Sequence, residues 1–559
     1  MFPGGSFRGS VSWQIAAILL AGAATLAECQ TTQAPIQTTE QSASIHGVVV
    51  NASTNKPLAR ALVQVDGHSI LTAYDGRFEF TALSTTTTTL HVMKPGFYEG
   101  SDLNQTTSRS VTVGSPDDVV VKLYPETLIT GNVSASNGDP LAQVQVQALR
   151  RVEDESGPRW TMAGQVSTNG DGQFRLALPG GDYVVETQYV PERLGVHGAI
   201  LPIMFPAAGT NGGSGTAGGG GASTLRMSSG SEQHLDLHPP VRPAHEVQIQ
   251  VDSSGGVADP GQFSPQIQVH LANGLVFSPQ SHEGERQGEV VLNLPNGSYL
   301  LSAGTGVRDD AASYGETRVT VADEDVAGVA IHLQKALMLP IEVSVDPAAS
   351  VTDSTAGSAP AVDPGSTTFA QQLGIFLQRI DAGVSLRTQT TFLPVSQRGG
   401  PIGFTLLPGR YRLQSRGYSQ WFVESATAGG TDLLTQELVV DGGSSSQPLR
   451  LVVNNQAATI KGTTKVGEQL AQSYVYMIAT TPSATPVIRS NAAISGSFSR
   501  NLIPPGSYRV VASEARLNLD LSDPAVQRQL APYMKTVTVG AGETGSVDLD
   551  AMPASELTP

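Results

Sequence analysis

The fold is decided by residues 44–98, where four short segments follow one another: Ser44-Ile-His-Gly-Val-Val-Val50, Asn55-Lys-Pro-Leu-Ala-Arg-Ala-Leu-Val-Gln-Val65, Tyr74-Asp-Gly-Arg-Phe-Glu-Phe80 and Lys94-Pro-Gly-Phe-Tyr98. Apolar and polar residues alternate within these segments, which is the period of a half-buried strand. The dipeptide Asp75-Gly76 predicts a hairpin between two of them. Short runs with this period, separated by turns, predict a two-layer β-sandwich.

Four landmarks of this stretch resemble the carboxypeptidase regulatory-like domain: Gly47-Val-Val-Val50, Lys56-Pro-Leu58, Asp75-Gly-Arg-Phe78 and Lys94-Pro-Gly-Phe97. The resemblance implies a transthyretin-like Greek-key sandwich, a fold grouped with carbohydrate-binding folds. Domains of this family occur beside zinc carboxypeptidases, at the front of outer-membrane receptors and in strings on secreted bacterial proteins. The resemblance therefore implies a fold and a class of ligand, but no particular activity.

The unit recurs along the chain. Asp139-Pro-Leu-Ala142 and Asp171-Gly-Gln-Phe174 repeat the second and third landmarks, and the pattern predicts five sandwich domains at 43–124, 127–240, 244–335, 337–454 and 456–553. At 559 residues the chain is too long for a single core. We therefore predict an all-β protein, a tandem array of Greek-key, transthyretin-like β-sandwich domains with one short helix near the C-terminus.

A turn containing proline or glycine precedes a tyrosine in four of these domains, at Tyr183, Tyr299, Tyr411 and Tyr508. The tyrosines lie roughly 100 to 115 residues apart, which is one sandwich domain for each step. Proline and glycine set the backbone for a tight reversal. We predict that each tyrosine buries its ring while its hydroxyl finds a backbone partner, so that the role is structural.

The remaining segments connect or flank the domains. Residues 28–42 predict a flexible leader, 209–221 and 350–366 predict loops rich in small residues, and 554–559 predict a tail. Residues 523–533 predict the one helix, because Ser522 or Asp523 can cap it and Pro524 suits its first turn.

The N-terminus predicts export. Arg8 precedes an apolar run over residues 13–27 that ends in small residues, as in a signal peptide cleaved after Ala27. Lipid attachment at Cys29 is an alternative that Glu28 opposes, because lipoprotein boxes carry a small residue before the cysteine. The apolar run is short for a membrane span, which argues against an uncleaved membrane anchor. We expect a periplasmic, cell-surface or secreted protein without a stable membrane span in its mature form.

Charge and cysteine content limit the classes of partner and of metal site that the protein could have. The formal net charge of −16 and the lack of a basic cluster argue against nucleic acid. Cys29 is the only cysteine, so the chain can form neither an intramolecular disulfide nor a thiolate zinc site. A glycan or another cell-envelope polymer is the partner class that we expect, and no cofactor is predicted.

Motifs for catalysis are weak. The His-x-x-Glu of zinc peptidases occurs formally at His282-Glu-Gly-Glu285, within a polar, glycine-containing segment. The sequence Asn169-Gly-Asp-Gly172 suggests a calcium loop or an ordinary hairpin, and we favour the hairpin. We predict no enzyme activity and assign no catalytic or metal-binding residues.

Ring faces that could stack on a sugar are the remaining candidates for a binding site. Trp160 lies in a polar segment, and Tyr418, Trp421 and Phe422 lie close together further along the chain. Packing in a core or at a sheet edge is the role that we favour for each, and stacking on a sugar is the alternative. The leading hypothesis is a non-enzymatic exported protein that binds carbohydrate or another envelope ligand. The alternatives are a structural spacer or adhesin-like stalk and, less favoured, a relative of zinc carboxypeptidases.

Overall fold

The computed structural model shows an all-β protein with a short helix near its C-terminus, as predicted. The part of the chain that it describes comprises residues 43–83, 87–98, 109–114, 118–154, 157–192, 198–206, 224–253, 266–304, 313–347, 349, 367–380, 391–392, 395–396, 402–416, 420–441, 447–493, 495–517, 519, 521 and 524–553. The predicted signal peptide, leader, tail and both small-residue loops lie outside these residues. Among the described residues, no helix has the length and apolar character needed to cross a membrane.

Strand pairing divides the described chain into five groups, which we call the first to fifth sandwiches. The first sandwich has the sheets β4-β1-β8-β6 and β3-β2-β5-β7. Its strands are β1 (Ala43–Asn51), β2 (Leu62–Val65), β3 (His68–Leu71), β4 (Arg77–Leu83), β5 (Thr87–Met93), β6 (Phe97–Tyr98), β7 (Arg109–Thr112) and β8 (Val119–Pro125).

The second sandwich has the sheet β12-β9-β17, the sheet β11-β10-β13-β15 with β16 beside β13, and the ribbon β14-β18. Its strands are β9 (Thr127–Val133), β10 (Gln145–Asp154), β11 (Gly157–Ser167), β12 (Gln173–Leu178), β13 (Gly181–Thr187), β14 (Ala199–Ile200), β15 (Met204–Phe205), β16 (Leu225–Met227), β17 (Glu232–Leu237) and β18 (Val241–Arg242).

In the third sandwich one continuous sheet, β21-β20-β24-β25-β26-β19-β23-β22, folds around the core. Its strands are β19 (Ala244–Ser253), β20 (Gln266–His270), β21 (Val276–Phe277), β22 (Ser281–Glu283), β23 (Glu289–Pro295), β24 (Gly297–Gly304), β25 (Ser313–Val321) and β26 (Val326–Lys335).

The fourth sandwich has the sheets β30-β31-β27-β36-β33-β34 and β29-β28-β32-β35. Its elements are β27 (Leu337–Val345), α1 (Thr367–Gln372), β28 (Ile375–Arg379), β29 (Thr391–Phe392), β30 (Val395–Ser396), β31 (Ile402–Leu406), β32 (Gly409–Ser415), β33 (Phe422–Ala428), β34 (Thr431–Asp432), β35 (Leu438–Val440) and β36 (Leu449–Asn454). The helix α1 was not predicted from the sequence.

The fifth sandwich has the sheet β38-β37-β41, with β44 and β45 beside β37, and the sheet β40-β39-β42-β43. Its elements are β37 (Ala458–Val466), β38 (Gln469–Leu470), β39 (Tyr474–Ala479), β40 (Val487–Asn491), β41 (Ser497–Ile503), β42 (Gly506–Ser513), α2 (Pro524–Leu530), a 3-10 turn (Ala531–Tyr533), β43 (Lys535–Val539), β44 (Thr544–Ser546) and β45 (Leu549–Asp550).

All five sandwiches share one strand pattern. The first strand of each pairs in parallel with a strand at or near the end of the same sandwich, and the parallel pairs are β1 with β8, β9 with β17, β19 with β26, β27 with β36, and β37 with β44 and β45. Because this pairing joins residues about a domain length apart, it closes each group on itself. That each group folds as an independent domain stays a prediction.

The two Asp-Gly turns that the sequence assigned to hairpins are not hairpins. Gly76 lies between β3 and β4, and Gly172 between β11 and β12, and each pair of strands belongs to opposite sheets. The amides of Val49 and Val133, on the first strands, donate to the carbonyls of these glycines at 2.9 and 2.8 Å. The turns therefore carry the chain from one sheet to the other across the first strand.

The four tyrosines occupy equivalent corners, as the sequence predicted. Their rings are 0–3 % exposed. Each hydroxyl donates to the carbonyl oxygen of the residue four positions earlier, and the pairs are Tyr183 with Pro179, Tyr299 with Pro295, Tyr411 with Leu407 and Tyr508 with Pro504. This ties the turn that connects the two sheets to the core below it, in the manner of the tyrosine corner of other sandwiches.

Neighbouring sandwiches also pack against each other. Tyr189 of the second stacks on Phe277 of the third with ring centroids 4.5 Å apart, and Leu201 enters the third core. Ala484 of the fifth enters the fourth core, and its carbonyl accepts a hydrogen bond from the Ser415 amide at 2.8 Å. The second and third sandwiches, and likewise the fourth and fifth, thus share buried apolar contacts.

Candidate functional site

The outer face of the sheet β12-β9-β17 in the second sandwich is lined by polar side chains. The period of two along these strands points Ile129, Leu235 and Leu237 into the core. The alternate positions therefore face outward. We call this surface the polar face, and its members are Thr130, Asn132, Ser134, Gln173, Arg175, Glu232, His234, Asp236 and His238.

Hydrogen bonds connect the central members of the polar face across β9 and β17. Asn132 Nδ2 donates to Asp236 Oδ1 at 3.2 Å and lies 3.2 Å from His234 Nε2. The other imidazole nitrogen of His234, Nδ1, lies 3.4 Å from the Thr130 hydroxyl. A neutral ring that carries its hydrogen on Nδ1 satisfies both contacts, because Nε2 then accepts from Asn132.

The carboxylate of Asp236 is held in its charged form. The hydrogen bond from Asn132 lowers the pKa of Asp236, and the neighbouring His234 lowers it further. His234 Nε2 lies 3.3 Å from Asp236 Oδ1.

The network extends to both sides of these residues. Ser134 Oγ lies 3.0 Å from His238 Nδ1 at one end, while Gln173 and Arg175 are exposed on β12 directly beside Asn132 and Thr130. The result is a partly to fully exposed surface three strands wide that offers amide, hydroxyl, imidazole and carboxylate groups. Such groups can pair with the vicinal hydroxyls of a sugar, which both donate and accept.

The aromatic residues proposed from the sequence lie elsewhere. Trp160, on β11, is partly buried and packs on the apolar cluster of Leu149, Val184, Met204 and Leu275 between the second and third sandwiches. Trp421 is 8 % exposed and belongs to the fourth core, where its ring meets Phe369 edge-on. Phe422 begins β33 and is half-buried, and Tyr418 lies outside the described residues.

These positions correspond to packing for Trp160 and Trp421, because Trp421 is nearly fully buried and Trp160 packs on an apolar cluster. The two residues belong to different clusters, so the structure does not bring them together on one surface. Their role in ligand binding stays a prediction that no comparison tests. The polar face, not an aromatic platform, is the candidate site that the described residues present.

The weak sequence motifs have local structural explanations. His282 lies on the short exposed strand β22, which pairs with β23. Asn169 Oδ1 accepts hydrogen bonds from the amides of Asp171 and Gln173 at 3.1 and 2.8 Å, and so closes its own turn. Within the described part of the chain, no group of three or more histidine, cysteine or acidic residues is placed to hold a metal ion.

A second polar cluster lies on the third sandwich. His270 Nε2 is 2.8 Å from Ser302 Oγ, and Tyr314 donates to Glu316 Oε2 at 2.9 Å on the neighbouring strand. Burial lowers the pKa of His270, while Glu316 raises it and Arg379 of the fourth sandwich lowers it. A serine that attacks a substrate must be reachable, and Ser302 is only 3 % exposed. We therefore interpret this cluster as part of the packing between sandwiches.

Sequence reasoning missed the polar face, although a signal was present. Residues 232–238 read Glu-Gln-His-Leu-Asp-Leu-His, with charged or polar groups at alternate positions. That pattern indicates a strand with one polar face, but the partners Thr130 and Asn132 lie about 100 residues earlier. Only the parallel pairing of β9 with β17 brings the two sets together.

Comparisons with known proteins do not assign this chain to a family. No family model matches the sequence, and no curated protein matches it. A streptococcal ancillary pilin is similar at 9 % identity over 52 % of this chain and 99 % of its own, with a TM-score of 0.19. The minor pilin of Streptococcus agalactiae reaches 13 % identity over 36 % of this chain and 96 % of its own, also with a TM-score of 0.19.

The TIE protein of Bacillus anthracis is 12 % identical over 52 % of this chain, with a TM-score of 0.16, and the match spans 51 % of that protein. At such TM-scores the paths of the chains differ over most of their length. The resemblance to the carboxypeptidase regulatory-like domain is not confirmed by these comparisons.

Proposed function

We propose that this is a non-enzymatic exported protein that binds a carbohydrate of the cell envelope or of the cell exterior through the polar face. The single observation that carries the proposal is the exposed network of Thr130, Asn132, His234 and Asp236. Exposed polar pairs contribute only about 0–1 kcal/mol to stability, so the stability of the sheet does not require this network. A connected set of donors and acceptors is held in place before a ligand arrives, which reduces the entropy lost on binding.

The shape and charge of the polar face support a polysaccharide over other ligands. The polar side chains lie on the outer face of three adjacent strands, and such a face suits an extended polymer better than a small molecule that needs a cleft. A carboxylate that accepts two hydrogen bonds from vicinal hydroxyls is a strong contact, because charge-assisted hydrogen bonds exceed neutral ones. The predicted signal peptide supplies the compartment in which such polymers occur.

The test is binding of residues 30–559, which lack the predicted signal peptide and Cys29, to peptidoglycan and to a panel of envelope polysaccharides. In the N132A/D236A variant two hydrogen-bonding groups are lost, and we expect about tenfold weaker binding or more. The matched control is D252A/H332A, which removes an Asp–His pair at 3.6 Å from the corresponding first and last strands of the third sandwich. Equal binding by both variants would contradict the proposal.

A further variant tests the aromatic residues in the same binding experiment. Trp160→Ala leaves the polar face unchanged but removes a ring that packs at the boundary with the third sandwich. If this variant loses binding and N132A/D236A does not, the ligand is held by the aromatic surface that the sequence suggested.

A structural spacer is the alternative function, and the packing between sandwiches favours it. The stack of Tyr189 on Phe277 and the insertion of Ala484 into the fourth core restrict motion between neighbours. A spacer should show no ligand in the binding panel, and its loss should alter the reach of whatever it connects. The two functions are therefore separated by the binding result alone.

A further inference from the structure

The first and fifth sandwiches touch although they stand at opposite ends of the described chain. Lys122, on β8, donates a hydrogen bond to Glu514, which follows β42 and is 392 residues further along. The two side chains are 34 % and 15 % exposed, so the ion pair is partly shielded from water. Shielding makes such a pair stronger than a fully exposed one.

A second residue on the same strand supports this contact. Tyr124 lies two positions after Lys122 and therefore on the same face of β8. Burial raises the pKa of Tyr124, and the negative charge of Glu514 and the neighbouring Tyr474 of the fifth sandwich add to the rise. Tyr474 itself is partly buried against the apolar cluster under helix α2. We call Lys122, Tyr124, Tyr474 and Glu514 the closing contact.

Further contacts connect successive sandwiches along the chain. The Tyr98 hydroxyl of the first donates to the Ala177 carbonyl of the second at 3.1 Å. Tyr189 joins the second to the third, only Ala336 separates the last strand of the third from the first strand of the fourth, and Ala484 joins the fifth to the fourth. With the closing contact, the path of contacts returns to the sandwich where it began.

From this path we infer that the five sandwiches close into a ring, which the first and fifth sandwiches complete. One ion pair with an adjacent tyrosine pair is a small interface for two separate proteins. Here the partners are tethered through the other sandwiches, so their effective concentration is high and a weak contact suffices. The inference concerns shape, stands apart from the carbohydrate proposal and opposes an extended stalk.

Because the closing contact contains an ion pair, closure of the ring should depend on the salt concentration. Attraction between partly exposed charges is screened over about 3 Å at 1 M salt, compared with about 10 Å at 0.1 M. High salt should therefore favour an open chain. The packed pairs, second with third and fourth with fifth, depend on apolar contacts and should stay together, so opening should occur at the closing contact first.

Chemical cross-linking tests the closure directly. Residues 30–559 contain no cysteine, so V120C/R516C, which keeps Lys122 and Glu514, places two unique thiols beside the closing contact for a bismaleimide. We expect intramolecular cross-linking at least tenfold faster than in the control V120C/D252C, whose second thiol is on the third sandwich. Equal rates for the two pairs would overturn the inference.

Charge reversal with small-angle scattering is the second measurement. A compact body of this length has a radius of gyration of about 24 Å, and a rod of five sandwiches would at least double that value. We expect the unaltered chain to lie near the compact value, K122E and E514K to expand it, and K122E/E514K to restore it. A rod-like radius for the unaltered chain would overturn the inference, as would expansion of the double variant beyond both single variants.

Discussion

Tyr299 donates its phenolic hydrogen to the Pro295 carbonyl at 2.7 Å, across the turn that carries the chain from β23 to β24. The contact joins a buried ring to the backbone of the turn between two strands, and the same relationship recurs in three other sandwiches. Because the ring fills the core and the hydroxyl fixes the turn, one residue stabilises both.

Removal of a corner tyrosine should destabilise its sandwich strongly. Tyr411→Ala should lower the free energy of unfolding by about 3–5 kcal/mol, the cost of emptying a large aromatic site. That is a large share of the about 5–15 kcal/mol typical of a domain. Tyr411→Phe, the matched control, keeps the ring and should cost about 1 kcal/mol for the lost hydrogen bond.

Limited proteolysis with mass mapping should locate this damage. New cleavage in Tyr411→Ala should appear within residues 337–454 while residues 44–123 stay resistant. Because Ala484 belongs to the fourth core, we also expect cleavage to spread into the fifth sandwich. Uniform loss of resistance along the chain would mean that all five sandwiches unfold as one cooperative body.

The glycine of the sheet-crossing turn should not tolerate a side chain. Gly172 has a φ of 73°, and a Cβ there would lie 2.4 Å from the Val133 carbonyl oxygen. Gly172→Ala should cost about 1–3 kcal/mol for the backbone alone, and the clash adds to this. Gly170→Ala in the same turn is the control, because its Cβ would meet no atom within 4 Å. Chemical denaturation of both variants checks the difference, and equal midpoints would contradict the explanation.

High pH should destabilise the second and third sandwiches. Burial raises the pKa of Tyr189 and of Tyr299 to about 12, above the value of about 10 in an unfolded chain. The stability that the two protonated tyrosines contribute is fully present below about pH 10, and it is lost as the pH rises through about 12.

Phenolate absorbance followed together with circular dichroism should show these two rings ionising with unfolding. Tyr299→Phe should shift the alkaline transition, whereas Tyr74→Phe should not, because Tyr74 is 97 % exposed. Ionisation of Tyr299 near pH 10 without loss of structure would show that its ring is accessible.

Low pH should destabilise the folded protein through protonation of His270. Burial lowers its pKa below the ordinary 6.5, with Arg379 acting in the same direction and Glu316 against it. The unfolded chain therefore binds a proton at this histidine more readily than the folded chain does. The stability that neutral His270 contributes is present above about pH 6.5, and it is lost as the pH falls through the lowered pKa.

Urea denaturation at pH 7.5 and pH 5 measures this dependence. His270→Gln keeps a hydrogen-bonding side chain beside Ser302 and should reduce the loss of stability at pH 5. Replacement of the exposed His332 by glutamine is the control. An unchanged pH dependence in His270→Gln would assign the effect to other groups.

Prediction of the candidate site from the sequence was less complete than prediction of the fold. The alternation in residues 232–238 is visible in the sequence, but Asn132 and His234 meet only through the parallel pairing of β9 with β17. Packing was favoured for the aromatic candidates, but the residues that would enclose them could not be predicted for a similar reason. Trp421 precedes an ordinary strand, and its enclosure depends on Phe369 and α1, more than 50 residues earlier.

The sequence by itself determined the properties that arise from neighbouring residues. Period-two alternation determined the strands, Pro/Gly turns before tyrosine determined the corners, and Pro524 with its flanking residues determined the start of α2. Only the tertiary structure decided which strands each turn connects. An Asp-Gly turn has the same local geometry in a hairpin as in a crossing between sheets, and the difference is set by distant hydrogen bonds such as that from Val49 to Gly76.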